Sequence, residues 1–127
     1  MKEVVNTSEA PAAVGPYSQA IKVSAGNLVF CSGQIPLDPK TGKIIGFTAA
    51  EQAEQVLKNL QAVLFAAGAE FKHVVKTTVY LDSMDDFAAV NEVYAKYFTL
   101  KLPARAAFQV GRLPLGVKVE IEAIAVV

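Results

Sequence analysis

The sequence is poor in most of what usually announces chemistry. It has one cysteine, Cys31, so no disulfide can form within the chain and no cysteine framework can hold a metal. Its one histidine, His73, sits among charged residues at a helix–strand junction and reads as a surface residue. Without a second histidine or more cysteines, a His- or Cys-rich metal site is not expected, and nothing points His73 towards a Ser-His-Asp assembly. No GxGxxG or Walker-type loop is present, so nucleotide cofactors lack their usual cradle. Charge of either sign is balanced, with 12 Lys+Arg against 12 Asp+Glu, which argues against the basic excess of a nucleic-acid binder. No apolar run approaches a membrane span. The opening MKEVVNTSEAP has no sustained apolar core of a secretory leader, so a cytosolic protein is expected.

What the chain does have is apolar mass. Hydrophobic residues make up 53% of 127 residues and charged residues 19%, a composition for one domain spanning residues 1–127. Small domains carry much surface, so this apolar surplus suggests that some of it is covered by partner subunits. The stretch up to about Pro16 reads as an extended arm. Residues 18–23 and 28–35 are strand-like and separated by SAGN, which suggests a hairpin, and 36–44 with its two prolines reads as a surface loop. Thr48 and Glu51 form a capping-box pattern. Behind it Ala53, Val56, Leu57, Leu60, Val63, Leu64 and Ala67 recur at helical spacing up to Gly68. Residues 74–81 are β-branched and strand-like. Ser83 caps a second helix with a stripe of Phe87, Val90, Tyr94, Tyr97 and Phe98, and two strands follow at about 104–110 and 117–126. The order predicts an α+β domain, a mixed sheet with both helices on one face. Leu28 and Phe30 point one way and Val29, Cys31 and Ile35 the other, so the face without helices also needs cover, which a homo-oligomer would give.

Within PARAAFQVGRLP, residues 103–114, a single guanidinium interrupts small and apolar side chains. Alternation sets Arg105, Ala107 and Gln109 against Ala106, Phe108 and Val110, and in the last strand Lys118, Glu120 and Glu122 against Val119, Ile121 and Ala123. Pairing these strands as an antiparallel hairpin around 112–114 would put Arg105 opposite Glu120 or Glu122 on one polar face. The plain reading is a structural cross-strand ion pair. The sharper one is a ligand site: the guanidinium fork suits a carboxylate, and a nearby glutamate can hold a water or move a proton. Asn91 lies on the apolar stripe of the second helix and must find a partner there, in the backbone or in a ligand. Ser32-Gly33 interrupts an apolar strand, as at a bulge or a close approach of something to the backbone. Tyr17 follows a Gly-Pro turn and by itself reads as a packing residue.

APAAVGPYSQAI, SGQIPLDPKTG, VVKTTVYLDSMDDFAAVNEVYAKYF, PARAAFQVGRLP and VKVEIEAIAV together resemble the reactive intermediate deaminase (Rid, or YjgF) family, in its RidA branch, over essentially the whole chain. The resemblance implies a chorismate-mutase-like fold that assembles as a homotrimer around a central barrel, with active sites in the clefts between subunits. It implies hydrolysis of 2-aminoacrylate and related enamines and imines, released by pyridoxal-phosphate enzymes, to 2-keto acids and ammonia, without cofactor or metal. By position it makes Arg105 the clamp for the substrate carboxylate and Glu120 the holder of the attacking water. Tyr17, Ser32, Gly33 and Asn91 would line the site, and the backbone carbonyl of Ala107 would orient the imine nitrogen or the water. Many members carry Ser-Cys where this chain has Ala106-Ala107, so any thiol role there is excluded. An imine carbon already reacts with water unaided, so one arginine and one glutamate are enough equipment. The competing expectation is a carboxylate-binding or chaperone-like trimer without turnover. Nuclease or chorismate-mutase chemistry fits this charge distribution less well.

Overall fold

The computed structural model describes residues 2–127. The longer helix, α1 (Ala49–Ala66), is built as its end signals dictate. Thr48 Oγ1 accepts from the Glu51 N–H at 3.2 Å while Glu51 Oε1 accepts from the Thr48 N–H at 2.9 Å, the reciprocal bonds of a capping box. These backbone donors, Thr48 first and then Phe47, hold the Glu51 carboxyl below the ordinary glutamate value. At the other end Gly68 takes φ +75°, its N–H donates to Phe65 O, and the Ala69 N–H donates to Leu64 O. That is a Schellman motif, which the left-handed glycine makes possible. Val56, Leu57, Leu60 and Leu64 are wholly buried. Each such side chain contributes about 2 kcal/mol of burial, which makes α1 the anchor of the core.

The second helix, α2 (Phe87–Tyr97), starts three residues later than a cap at Ser83 would set it. Ser83 accepts from the Asp85 N–H and caps a short 3-10 turn, Met84–Asp86, that feeds α2. Val90, Val93, Tyr94 and Phe98 are buried against α1 and the sheet. Tyr97 instead turns its hydroxyl to Glu54 of α1, donating at 2.6 Å.

The strands correct three pairings. β1 (Lys2–Val5) lies inside the stretch expected to be an arm and pairs antiparallel with β2 (Ala20–Val23). Its burial pattern is nearly all exposed, so no alternation betrayed it. β2 does not form a hairpin with β3 (Leu28–Gln34). Between them Gly26, at φ +137°, lets the chain pass over the C-terminal strand, where a Cβ would lie 2.4 Å from Val126 Cγ1. Asn27 then exchanges backbone bonds with Val127, and β3 runs antiparallel to β6 (Val119–Val126). β4 (Val74–Leu81) takes the other side of β6, and β5 (Ala104–Gln109) adds parallel to β4 after the α2 crossover. The sheet order is therefore β3-β6-β4-β5, with β5 at an edge. The expected β5–β6 hairpin is overturned, because residues 110–118 carry the chain past β4 rather than turning it back.

Both helices share one face of this sheet with Val79, Leu81, Val119, Ile121, Ala123 and Ala125 in a single core. The opposite face carries Leu28, Phe30 and Phe108, which are 59%, 71% and 45% exposed, beside the polar Lys76, Thr78, Glu120 and Glu122. Val29 and Cys31 face the core, as the alternation predicts. Among the described residues no helix is long and apolar enough to cross a membrane.

Candidate functional site

Register decides where Arg105 goes. Arg105 pairs with Thr77, and Thr77 with Ala123; cross-strand partners share a face, so Arg105 lies on the helix side. The expectation that it avoids the core face is thus corrected. It is tolerated there because β5 is the sheet edge and α2 supplies partners. Nη1 donates to Asn91 Oδ1 at 2.6 Å. The guanidinium carbon sits 5.0 Å from the Tyr94 ring centroid, 5.5 Å from that of Phe87 and 5.6 Å from that of Tyr17. Tyr17 is brought in by its own loop, in which the Ser18 N–H donates to Pro103 O and Ser18 Oγ to Leu102 O, directly ahead of β5. Burial pulls the Arg105 pKa down, while the phenol oxygens of Tyr94 and Tyr17 oppose the shift. An arginine stays charged regardless. Among the described residues no carboxylate pairs with it. A half-buried cation with only neutral partners is prepared for an anion from elsewhere.

The second group lies on the uncovered face. Glu120 pairs across with Tyr80, which pairs with Phe108, and Glu122 pairs with Thr78. The Glu120 carboxylate rests on Gly33 of β3, where the register shift between Cys31 and Gln34 opens the strand. Burial first, then the charge of Glu122, raises the Glu120 pKa above the ordinary carboxylate value. Ser32, the residue before Gly33, is exposed and lines a crevice of about 240 Å³ with Lys76, Thr78 and Glu122. A Cβ on Gly33 would lie 2.0 Å from Glu120 Oε2. Gly33→Ala should therefore fold yet swing this carboxylate off the strand; a crystal structure of the variant with Glu120 unmoved would contradict the packing argument.

Tyr17, Asn91 and Arg105 are thus brought together, with Ala107 two residues along the same face of β5 and packed on the core. Gly33 and Glu120 are brought together elsewhere, while Ser32, the residue before Gly33, lines a crevice with Glu122. The two groups do not meet within one chain. They occupy opposite faces, and Glu120 lies two strands in from Arg105, about 10 Å at the usual strand spacing. The expected same-face pair is overturned, and with it the structural Arg–Glu bridge. The sequence reading missed Phe87, Tyr94 and Thr77 as neighbours of Arg105, treating the aromatics as core stripe. Their signal was the placement of Phe87 and Tyr94 four before and three after Asn91, on one helix face. Among the described residues no cluster of His, Cys, Asp and Glu side chains is arranged to hold a metal ion.

Residues 7–127 match the family described as endoribonuclease L-PSP. The chain is 53% identical over 126 residues to the mouse 2-iminobutanoate/2-iminopropanoate deaminase, covering 99% of this chain and 92% of that one. It is 56% identical over 124 residues to the Arabidopsis thaliana chloroplastic Reactive Intermediate Deaminase A, covering 98% of this chain and 65% of that one. Among solved structures it is similar to E. coli TdcF with bound serine, at 44% identity and a TM-score of 0.75, covering 98% of each chain.

Proposed function

The chain belongs to the endoribonuclease L-PSP (Rid/YjgF) family, and on that premise we propose that it is a deaminase that hydrolyses 2-iminobutanoate, 2-iminopropanoate and the tautomeric 2-aminoacrylate-type enamines to 2-keto acids and ammonia. The chief support is the half-buried Arg105 guanidinium, held by an amide and three aromatic rings with no carboxylate partner among the described residues. Such a fork suits the carboxylate of a small imino acid. Mammalian relatives named as this deaminase, and the relative solved with serine, an amino acid of the same size class, support the substrate class.

Arg105 would bind the carboxylate and draw electron density from the adjoining imine carbon. Glu120 would take a proton from the attacking water and pass it to the imine nitrogen, giving the carbinolamine; it would then carry the carbinolamine hydroxyl proton to the same nitrogen as the C–N bond breaks, leaving the keto acid and ammonia. Ser32, the Gly33 backbone and the Ala107 carbonyl would shape the site around water and nitrogen, and Tyr17 and Asn91 would line it beside the arginine. Because Arg105 and Glu120 occupy opposite faces, one protomer would supply the clamp and another the carboxylate. A homotrimer that buries the exposed Leu28, Phe30 and Phe108 beside Glu120 would make that junction. No metal, cofactor or nucleotide enters this chemistry. The balanced charge offers little to an RNA backbone, so the nuclease in the family's description is the weaker reading.

The raised Glu120 pKa gives the reaction a pH signature. The water is held by the ionised carboxylate, so kcat/KM should fall as pH drops through that pKa, above the ordinary glutamate value near ~4.3. Glu122→Gln removes the neighbouring charge that contributes to the rise, and should move the acid limb to lower pH. A pH–rate profile in which the limb stays in place or moves up would rule out this role for the pair.

A further inference from the structure

We propose that Asn91 is a positioning residue that keeps Arg105 both aimed and unneutralised, so that a carboxylate in its place would close the site against its own substrate. This rests on the reading of Arg105 as a carboxylate clamp, and it moves Asn91 from a residue lining the ligand to one acting through the guanidinium.

A half-buried arginine without a counter-ion would swing towards any carboxylate or water in reach. Here its freedom is removed by groups that carry no charge. Asn91 Oδ1 accepts from Nη1 at 2.6 Å. Phe87 and Tyr94, on the same face of α2, stand within 5.5 Å of the guanidinium carbon, and the Tyr17 ring adds a third aromatic partner from the Gly15–Ser18 loop. Tyr94 cannot yield, because it is fully buried and stacked on Phe98 at 4.3 Å. Its hydroxyl also shares a 2.7 Å hydrogen bond with Thr77, the cross-strand partner of Arg105 itself. Helix α2 is thereby tied to the strand pair that carries the arginine, and Asn91 is delivered to Nη1 by a rigid element.

The chemistry of the partner then matters more than its shape. An amide oxygen and ring faces orient a cation and leave its charge available. An aspartate has nearly the outline of asparagine and would accept the same Nη1 donor, but as an anion it would form an ion pair that an incoming carboxylate must break. Asparagine at this position is therefore a specificity choice: it admits anions because it is not one.

The test compares Asn91→Asp, Asn91→Leu and Arg105→Ala with wild type. Binding of 2-oxobutanoate is measured by calorimetry, KM and kcat on imine generated in situ, and folding by Tm and oligomer mass. Asn91→Asp should fold like wild type, raise Kd and KM about tenfold or more and leave kcat within about twofold, as a competing anion does to an arginine–carboxylate contact. Asn91→Leu, which removes the bond without adding charge, should raise Kd by less than Asn91→Asp. Loss of binding in Arg105→Ala with wild-type binding in Asn91→Asp would overturn the positioning role alone. Wild-type binding and turnover in Arg105→Ala would overturn the clamp on which it rests.

Discussion

Arg105→Ala should abolish the acceleration of keto-acid and ammonia release that the wild-type protein gives when threonine or serine dehydratase supplies the imine. The expected loss is about 10²–10³-fold in kcat/KM, the range seen when one partner of a half-buried, hydrogen-bonded charge pair is truncated. Arg105→Lys should fare little better. A lysine keeps the charge but loses the planar fork, and its shorter reach leaves the ring faces of Tyr94 and Phe87 without a flat partner. The variants should fold normally, since Arg105 lies at the sheet edge and has no ion pair to lose among the described residues. Unchanged rates in both would end the mechanism. Tight binding of 2-oxobutanoate by wild type with no turnover would favour the carboxylate-binding trimer instead.

Arg105 also shows how far the sequence could be read. Local signals were legible: the Thr48–Glu51 capping box, the Gly68 stop and the limits of β4 are where side-chain chemistry within a few residues puts them. The faces of β5 and β6 were legible too, because alternation is a property of one strand. Partnership was not. Which strand lies beside β5 depends on the α2 crossover, and a parallel neighbour leaves no mark within β5. With β6 taken as the neighbour, Arg105 and Glu120 fell together; with β4 in that place, they separate. The residue types of the candidate site were evident in PARAAFQVGRLP and VKVEIEAIAV. The aromatic cradle was hidden because Phe87 and Tyr94 satisfy a helix stripe as well as they satisfy a cation.

That separation makes the sharpest expectation one about mixtures. If the guanidinium and the carboxylate of a working site come from different protomers, Arg105→Ala and Glu120→Ala chains should each be inactive alone and should rescue one another when co-assembled. In a mixed oligomer, any junction where an intact arginine meets an intact glutamate is a whole site. Random equal mixing makes about one quarter of the junctions whole, so co-refolded variants should recover about one quarter of wild-type activity. Rescue should require exchange of subunits: mixing the folded variants should restore activity only as fast as the oligomers trade chains, and tagged copies should report that rate independently. Co-assembled but inactive mixtures would mean that both groups serve one protomer. The opposite faces of Arg105 and Glu120 in the sheet would then have to be reconciled by a rearrangement of β5, because a short imino acid cannot reach from one to the other across β4.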